Sequence, residues 1–404
     1  MTIISHFPSP ESIGTWPRER RPVLDWLMNE TSSQRFLDNL LVEMCERLVA
    51  AGIPVARSSL HLRIQHPQWQ GARILWLPGI GEANIDTFDY DVDTTELFLR
   101  RPATEIYDGA SVIRQHLHAG DNDLVRYPLF EELQRDGFTD YVAWPIEHTL
   151  GRRHVVTFAT KQQGGFSEYE IAYLMDLLPA LALASEIRMK NAMARTLLET
   201  YVGPHASAEI LAGATTRGSG KTVNAAIMIC DLRDFTALSD LWPRDDVIDI
   251  LNGYFDALCE PVEVRGGEIL KFMGDGLLAI FPLSNPNACA DLLQAICDGR
   301  ERMGALNAKL AESGKPELRY GIGVHVGDVM YGNIGSRKRL DFTAIGPAVN
   351  VASRLEELTK VIKRPVLLSS EFVKIACASK QFVDLGSHSL RGLEAPVSVF
   401  GMQE

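Results

Sequence analysis

In the stretch Gly266-Gly267-Glu268-Ile269-Leu270-Lys271-Phe272-Met273-Gly274-Asp275-Gly276-Leu277-Leu278-Ala279-Ile280-Phe281-Pro282, two apolar runs are joined by a Gly-Asp-Gly triplet. Asp-Gly between such runs predicts a tight antiparallel hairpin with Asp275 at its apex. Upstream, the apolar run 225–230 predicts a buried strand that ends in Asp231, and the following Phe235 and Leu238 fall on one helical face. A carboxylate at a strand tip, next to a helix N-terminus, is placed to hold a cation and a polyphosphate together. Each aspartate alone reads as an ordinary turn or cap residue. Side by side, Asp231 and Asp275 would complete a two-carboxylate site of the kind Mg²⁺ takes together with substrate phosphates. Downstream, 340–345 predicts a short strand stopped by Gly346, and Pro347 suits the first turn of a helix to about Thr359. Asn350 and Arg354 are four apart, so both emerge on one face of it. An amide beside a guanidinium can bind a sugar oxygen and a phosphate whose charge grows during reaction; in isolation the same pair reads as a solvated helix face.

Asp231, the 271–275 hairpin, and Thr343 followed by Asn350 and Arg354 resemble, in order and spacing, the catalytic domain of class III nucleotidyl cyclases over roughly 222–402. The resemblance implies a ferredoxin-like βαββαβ domain and a phosphorus–oxygen lyase, an adenylate cyclase, working as a head-to-tail homodimer. It further implies that Asp231 and Asp275 hold two Mg²⁺ or Mn²⁺ ions per active site, Lys271 and Thr343 select the base, Asn350 orients the ribose and Arg354 stabilises the transition state. Hydrogen bonding argues for ATP: the Lys271 ammonium can only donate and suits adenine N1, while the Thr343 hydroxyl can accept from the amino group. Guanine reverses both, and each unpaired buried group would cost about 1–3 kcal/mol. For the phosphates, the candidates are the 232–236 segment (Leu232, Arg233, Asp234, Phe235, Thr236), whose backbone amides open a helix, and the cation of Arg391, with Arg319 a weaker one. The alternatives are a silent cyclase-like domain that relays nucleotide occupancy and a purely structural dimerisation module.

The 404 residues suggest two domains. The boundaries read as an N-terminal extension at 1–30, a mixed sheet-and-helix domain at 31–188, a linker helix and loop at 189–221, and the cyclase-like domain at 222–404. Overall this is an α+β and α/β chain. The first domain resembles a GAF-like sensor in its order of helix, strand pairs and closing helix; it could bind a small ligand between sheet and loops, or serve only to dimerise. His116 and His118 read as surface residues, since no third ligand is in view. Ser167 and Glu170 are spaced as a capping box opening a long helix. On it, Leu183, Ile187, Ala194, Leu197 and Tyr201 have the spacing of a two-chain seam or of a packed helix running into a tether. The segment 214–222 (ATTRGSGKT) reads as a flexible linker; its GSGKT lacks the first glycine and the preceding strand of a P-loop. Gly321, Gly323 and Gly327 form no dinucleotide fingerprint, because nothing after them opens a helix. The net charge of −12 disfavours nucleic acid as a partner. No uncharged apolar run is long enough to span a membrane, and the start of the chain has no secretory pattern. The six cysteines form no CxxC pair. These features lead to an expectation of a cytoplasmic protein.

Overall fold

The computed structural model describes residues 21–64, 66–90, 101–117, 127–376, 382–393 and 395–403; His118 and Cys377 lie outside them. The chain forms two units, 1–197 and 198–404.

The first unit is built on a six-stranded antiparallel sheet of β1 (Arg57–Arg63), β2 (Gly71–Trp76), β3 (Asn84–Phe88), β4 (Ile113–His116), β5 (Asp140–His148) and β6 (Arg152–Thr160), in the order β3-β2-β1-β6-β5-β4. Strand alternation sends Leu60 and Leu62 to one face. There they meet Leu40, Leu41, Met44 and Leu48 of the helix Leu37–Ala50, and Leu174, Leu177 and Leu181 of the helix Glu168–Val202. Each such side chain contributes about 1.5–3 kcal/mol by leaving water. The opposite face carries Tyr141, Ala143, Val155 and Ala159 against Ile106 and Phe130 of the short helices Pro102–Tyr107 and Pro128–Arg135. The capping box forms: the Ser167 amide donates to Glu170 Oε2 at 2.7 Å and the Glu170 amide to Ser167 Oγ at 3.3 Å. Along the long helix Leu183, Ile187, Leu197 and Tyr201 are exposed.

In the second unit the chain runs strand, helix, strand, strand, helix, strand: β7 (Gly220–Leu232), the helices Phe235–Leu241 and Arg244–Val264, β8 (Glu268–Met273), β9 (Gly276–Pro282), the helix Ala288–Glu312 and β10 (Tyr320–Gly335). Then come β11 (Leu340–Ile345), the helix Pro347–Ile362, β12 (Val366–Ser369), β13 (Phe382–His388) and β14 (Val397–Met402). The sheet order is β13-β14-β12-β10-β7-β9-β8, with β11 on β10; β10 and β12 are parallel and the other pairs antiparallel. From Ala225 to Cys230 β7 is buried on both faces. Ala226, Met228, Cys230 and Leu232 enter the core under the helices Arg244–Val264 and Ala288–Glu312, while Ala225, Ile227 and Ile229 face Ala348 and Ala352 of the helix Pro347–Ile362.

Two sequence readings need correcting. The linker expected at 189–221 is part of the second unit from Leu198 on, because the helix Pro204–Leu211 packs Ala206 and Ile210 against Ile227 and Ile229. The glycine- and serine-rich segment is likewise pinned: the buried Asn333 donates to the Ala214 carbonyl at 2.6 Å and accepts at its own carbonyl from the Gly218 amide at 2.9 Å. The cyclase-like domain therefore does not begin at 222; its first strand already starts at Gly220.

The glycines of β10 make room for a helix. A Cβ on Gly323 would lie 2.1 Å from the Ala352 carbonyl oxygen and 2.4 Å from the Glu356 amide nitrogen, and one on Gly321 would meet Thr359 Oγ1 at 2.4 Å. Only bare backbone lets the helix Pro347–Ile362 approach this closely.

Candidate active site

Asp231 is the penultimate residue of β7, paired across the ladder with Gly321, and Asp275 sits at the turn between β8 and β9. Gly274 closes that turn with φ of 70°, a left-handed conformation that favours glycine. Gly276 is packed beneath the pair; a Cβ there would lie 3.1 Å from Asp231 Oδ1. The sheet thus brings the two carboxylates together. Burial, and then the like charge and hydrogen bonding of Asp275, raise the Asp231 carboxyl above its ordinary pKa, while Lys360, whose ammonium is 3.8 Å from Asp231 Oδ2, pulls it down. Two adjoining carboxylates with too little positive charge beside them suit a divalent cation. Among the described residues no cluster of three or more His, Cys, Asp or Glu offers another metal site.

Asn350 and Arg354 project from the helix Pro347–Ile362, where the Arg354 guanidinium is bridged to Glu357. At about 100° per residue, the Asn350–Arg354 face is turned about 120° from the face bearing Glu356 and Lys360. The latter face is the one that looks toward Asp231. Among the described residues no hydrogen bond or ion pair joins Asn350 or Arg354 to either aspartate. One chain therefore does not bring the whole predicted set together.

Lys271, on β8 where the register with β9 shifts, donates to Asp341 on β11. Thr343 lies two residues further along β11, on the same face by strand alternation. Leu232 is buried, and the Arg233 amide already donates to the Arg319 carbonyl at 2.8 Å. The Arg233 amide is therefore already engaged, since antiparallel pairing continues past the end of β7. Asp234 adopts φ of 59° and ψ of 24° and accepts from Arg319 at 2.6 Å, ahead of Phe235 and Thr236 in the helix Phe235–Leu241. Arg391 is exposed in the turn after β13. His116 is on the surface, 3.6 Å from Asp140.

Three neighbours escaped the sequence reading. Asp341 carried a signal, its two-residue spacing from Thr343. Lys360 and the buried Glu356 carried little, because an i, i+4 Glu–Lys pair is the commonest solvated helix pattern. Glu356 is 4% exposed, its Oε1 has no hydrogen-bond partner, and burial pushes its carboxyl up to about 7.

Residues 219–402 match the family of adenylate and guanylate cyclase catalytic domains, and this segment is a class III cyclase catalytic domain. The chain is 32% identical over 175 residues to adenylate cyclase 1 of Rhizobium meliloti, covering 43% of this chain and 26% of that protein. It is also 32% identical over 192 residues to an adenylate cyclase of Anabaena cylindrica, covering 46% of this chain and 36% of that one. The chain thus spans only about a quarter to a third of these curated relatives. Among solved structures it resembles the adenylyl cyclase CyaB of P. aeruginosa, with 25% identity, TM-score 0.42, and coverage of 46% of this chain and 96% of that one. Guanylyl cyclases stand among the structural neighbours too. Among the described residues no helix is long and apolar enough to cross a membrane.

Proposed function

We propose that this protein is an adenylate cyclase that converts ATP to 3′,5′-cyclic AMP and pyrophosphate at sites shared between two copies of the chain, in the cytoplasm, under the influence of a GAF-like N-terminal domain. The observation that carries the reading is the pairing of the Asp231 and Asp275 carboxylates at a strand tip and a hairpin turn. The order β7, helix, β8, β9, helix, β10 with sheet order β10-β7-β9-β8 supports a ferredoxin-like βαββαβ core.

The helix geometry supports shared sites. With Asn350 and Arg354 turned about 120° from the face that looks at Asp231, the aspartates of one copy need the amide and guanidinium of another. An isologous two-fold pair meets that need twice, giving two complete sites. The apolar side chains exposed around the hairpin and β11, Phe272 at 51% and Ile345 at 45%, support a covered face.

Within such a site Lys271, its ammonium held by Asp341, donates to adenine N1, and Thr343 accepts from the exocyclic amine. Asn350 fixes the ribose so that the 3′-oxygen lies in line with the α-phosphate. The O3′–P bond forms as the bond to the pyrophosphate oxygen breaks, and the hydroxyl proton passes to water. Arg354 exchanges Glu357 for the charge that grows on the α-phosphate. Arg391 and the amides of Asp234 to Thr236 hold the leaving phosphates. Two Mg²⁺ or Mn²⁺ ions, held by Asp231 and Asp275, would supply activation of the hydroxyl and neutralisation of the triphosphate.

The test is cyclic AMP formation from ATP and Mn²⁺ by purified protein, with Asp275→Ala and Arg354→Ala proteins assayed alone and mixed. Each alone is inactive, and subunit exchange restores activity because one hybrid site holds both intact residues. Verified exchange without recovered activity refutes the shared site. Nucleotide binding without turnover in the unaltered protein favours the silent relay.

A further inference from the structure

The polar face of β1 in the first unit is roofed over. Arg57, Ser59 and His61 alternate with the core residues Leu60 and Leu62, a pattern that would ordinarily mark a solvated strand face. Here the helices Pro102–Tyr107 and Pro128–Arg135 cover it and leave a cavity of about 130 Å³.

Charge in this cavity is unbalanced. Arg73 lies opposite His61 in the ladder and donates to Asp86 Oδ2 at 2.9 and 2.6 Å. Arg101 and Glu132 also line the space. Arg57 is 8% exposed and its guanidinium has no hydrogen bond or ion pair among the described residues. Burial lowers its pKa, opposed first by Tyr141 and, more weakly, by Glu132, while the neighbouring Arg73 adds to the lowering. Burial and the three arginines drive the His61 imidazole down to about 3, so it is neutral and its Nε2 is 2.9 Å from Ser59 Oγ. A buried guanidinium with no ion-pair partner is costly, and this one faces a space large enough for a ligand.

We propose that this cavity is a binding site for a small monocarboxylate of about four carbons. The Arg57 fork matches a carboxylate in two-point geometry. Pro102, Ala103 and Leu129 on the opposite wall suit a short aliphatic body. In size the cavity is close to an apolar cavity of about 150 Å³ that admits benzene, which leaves room for roughly six non-hydrogen atoms. Inorganic phosphate would leave the apolar wall uncovered, and an amide of the same shape would leave the charge unanswered.

The test is isothermal titration of the full chain with sodium butyrate, butyramide and sodium phosphate. Butyrate is expected to bind saturably with Kd at or below about 1 mM, and the other two at least about tenfold more weakly, a difference of about 1.4 kcal/mol. Arg57→Met should weaken butyrate at least about tenfold, and Arg57→Lys less. Without ligand, Arg57→Met should melt at or above the temperature of the unaltered protein, because it removes an unpaired buried charge. No saturable butyrate binding, butyrate binding unchanged in Arg57→Met, or a fall of several degrees in the ligand-free melting of that variant each overturns the site. Phosphate binding as tightly as butyrate overturns the carboxylate assignment.

Discussion

Substituting Gly323 by alanine should test how the helix Pro347–Ile362 is seated. The added Cβ would stand 2.1 Å from the Ala352 carbonyl oxygen and 2.4 Å from the Glu356 nitrogen. Both are backbone atoms that no rotamer change can move. Restoring ordinary contact requires the helix Pro347–Ile362 to lift by about 1 Å, and overpacking of this kind costs about 1–3 kcal/mol. Ala352 and Leu355 are fully buried beneath the helix and would lose contacts as it rises. Because the same helix carries Asn350 and Arg354, a displacement of about 1 Å should also lower kcat by about 10²-fold. Urea denaturation followed by circular dichroism, together with cyclic AMP production, reads both effects. Gly304→Ala is the control: a Cβ there meets nothing within 4 Å, and in a helix interior the change should stabilise by about 0.5–1 kcal/mol. If Gly323→Ala unfolds within about 0.5 kcal/mol of the unaltered protein, the close seating of the helix on β10 is refuted.

Asp231→Asn should abolish cyclic AMP formation yet raise the melting temperature in EDTA, since it relieves the like-charge contact with Asp275; a lowered melting temperature in calorimetry contradicts that electrostatic picture. Arg354→Ala should lower kcat far more than it raises KM, as for a contact made mainly in the transition state; the opposite split in steady-state kinetics makes it a ground-state binder. Lys271→Glu should cut the ATP-to-GTP ratio of kcat/KM by at least about tenfold, because the base would then meet an acceptor; competition assays with both nucleotides decide it. For Glu356, whose folded pKa of about 7 exceeds its unfolded value, the added stability is full below about pH 4.5 and is lost as pH rises through about 7. In EDTA the second unit should therefore weaken between pH 5 and 8, on the order of 2–3 kcal/mol. Glu356→Gln should flatten that slope in denaturant titrations, and an unchanged slope rules the residue out as its source.

What was legible in the sequence was what local chemistry decides. The β8–β9 hairpin followed from Asp-Gly between apolar runs, and the long helix opened where Ser167 and Glu170 said it would. The pairing of Asp231 with Asp275 was legible only because both lie at strand ends next to each other in the sheet. Features that depend on a distant element were hidden. Gly321 and Gly323 read only as glycines of no dinucleotide fingerprint, because the helix that rests on them comes some thirty residues later in the chain. Nothing local to β1 announces the helices that roof its polar face. The 214–219 segment looked slack because small residues say nothing of Asn333, which holds it. The hydrogen bond of the Arg233 amide was hidden because a strand's last hydrogen bond is set by its partner's length.

The placement of β7 between β10 and β9 has a consequence for amide exchange. Its ladder runs from Gly220 opposite Gly332 to Leu232 opposite Tyr320 on one side, and Ala225 to Cys230 pair with β9 on the other. Deuterium should enter 225–230 last in the whole second unit, by global opening alone. Asp231 is thus anchored to the slowest-exchanging strand, while Asp275 rides on the Gly274 turn, where protection should be slight. Local opening at that turn can part the two carboxylates without disturbing the sheet. Protection of the turn amides would then rise when a divalent cation ties the two aspartates together.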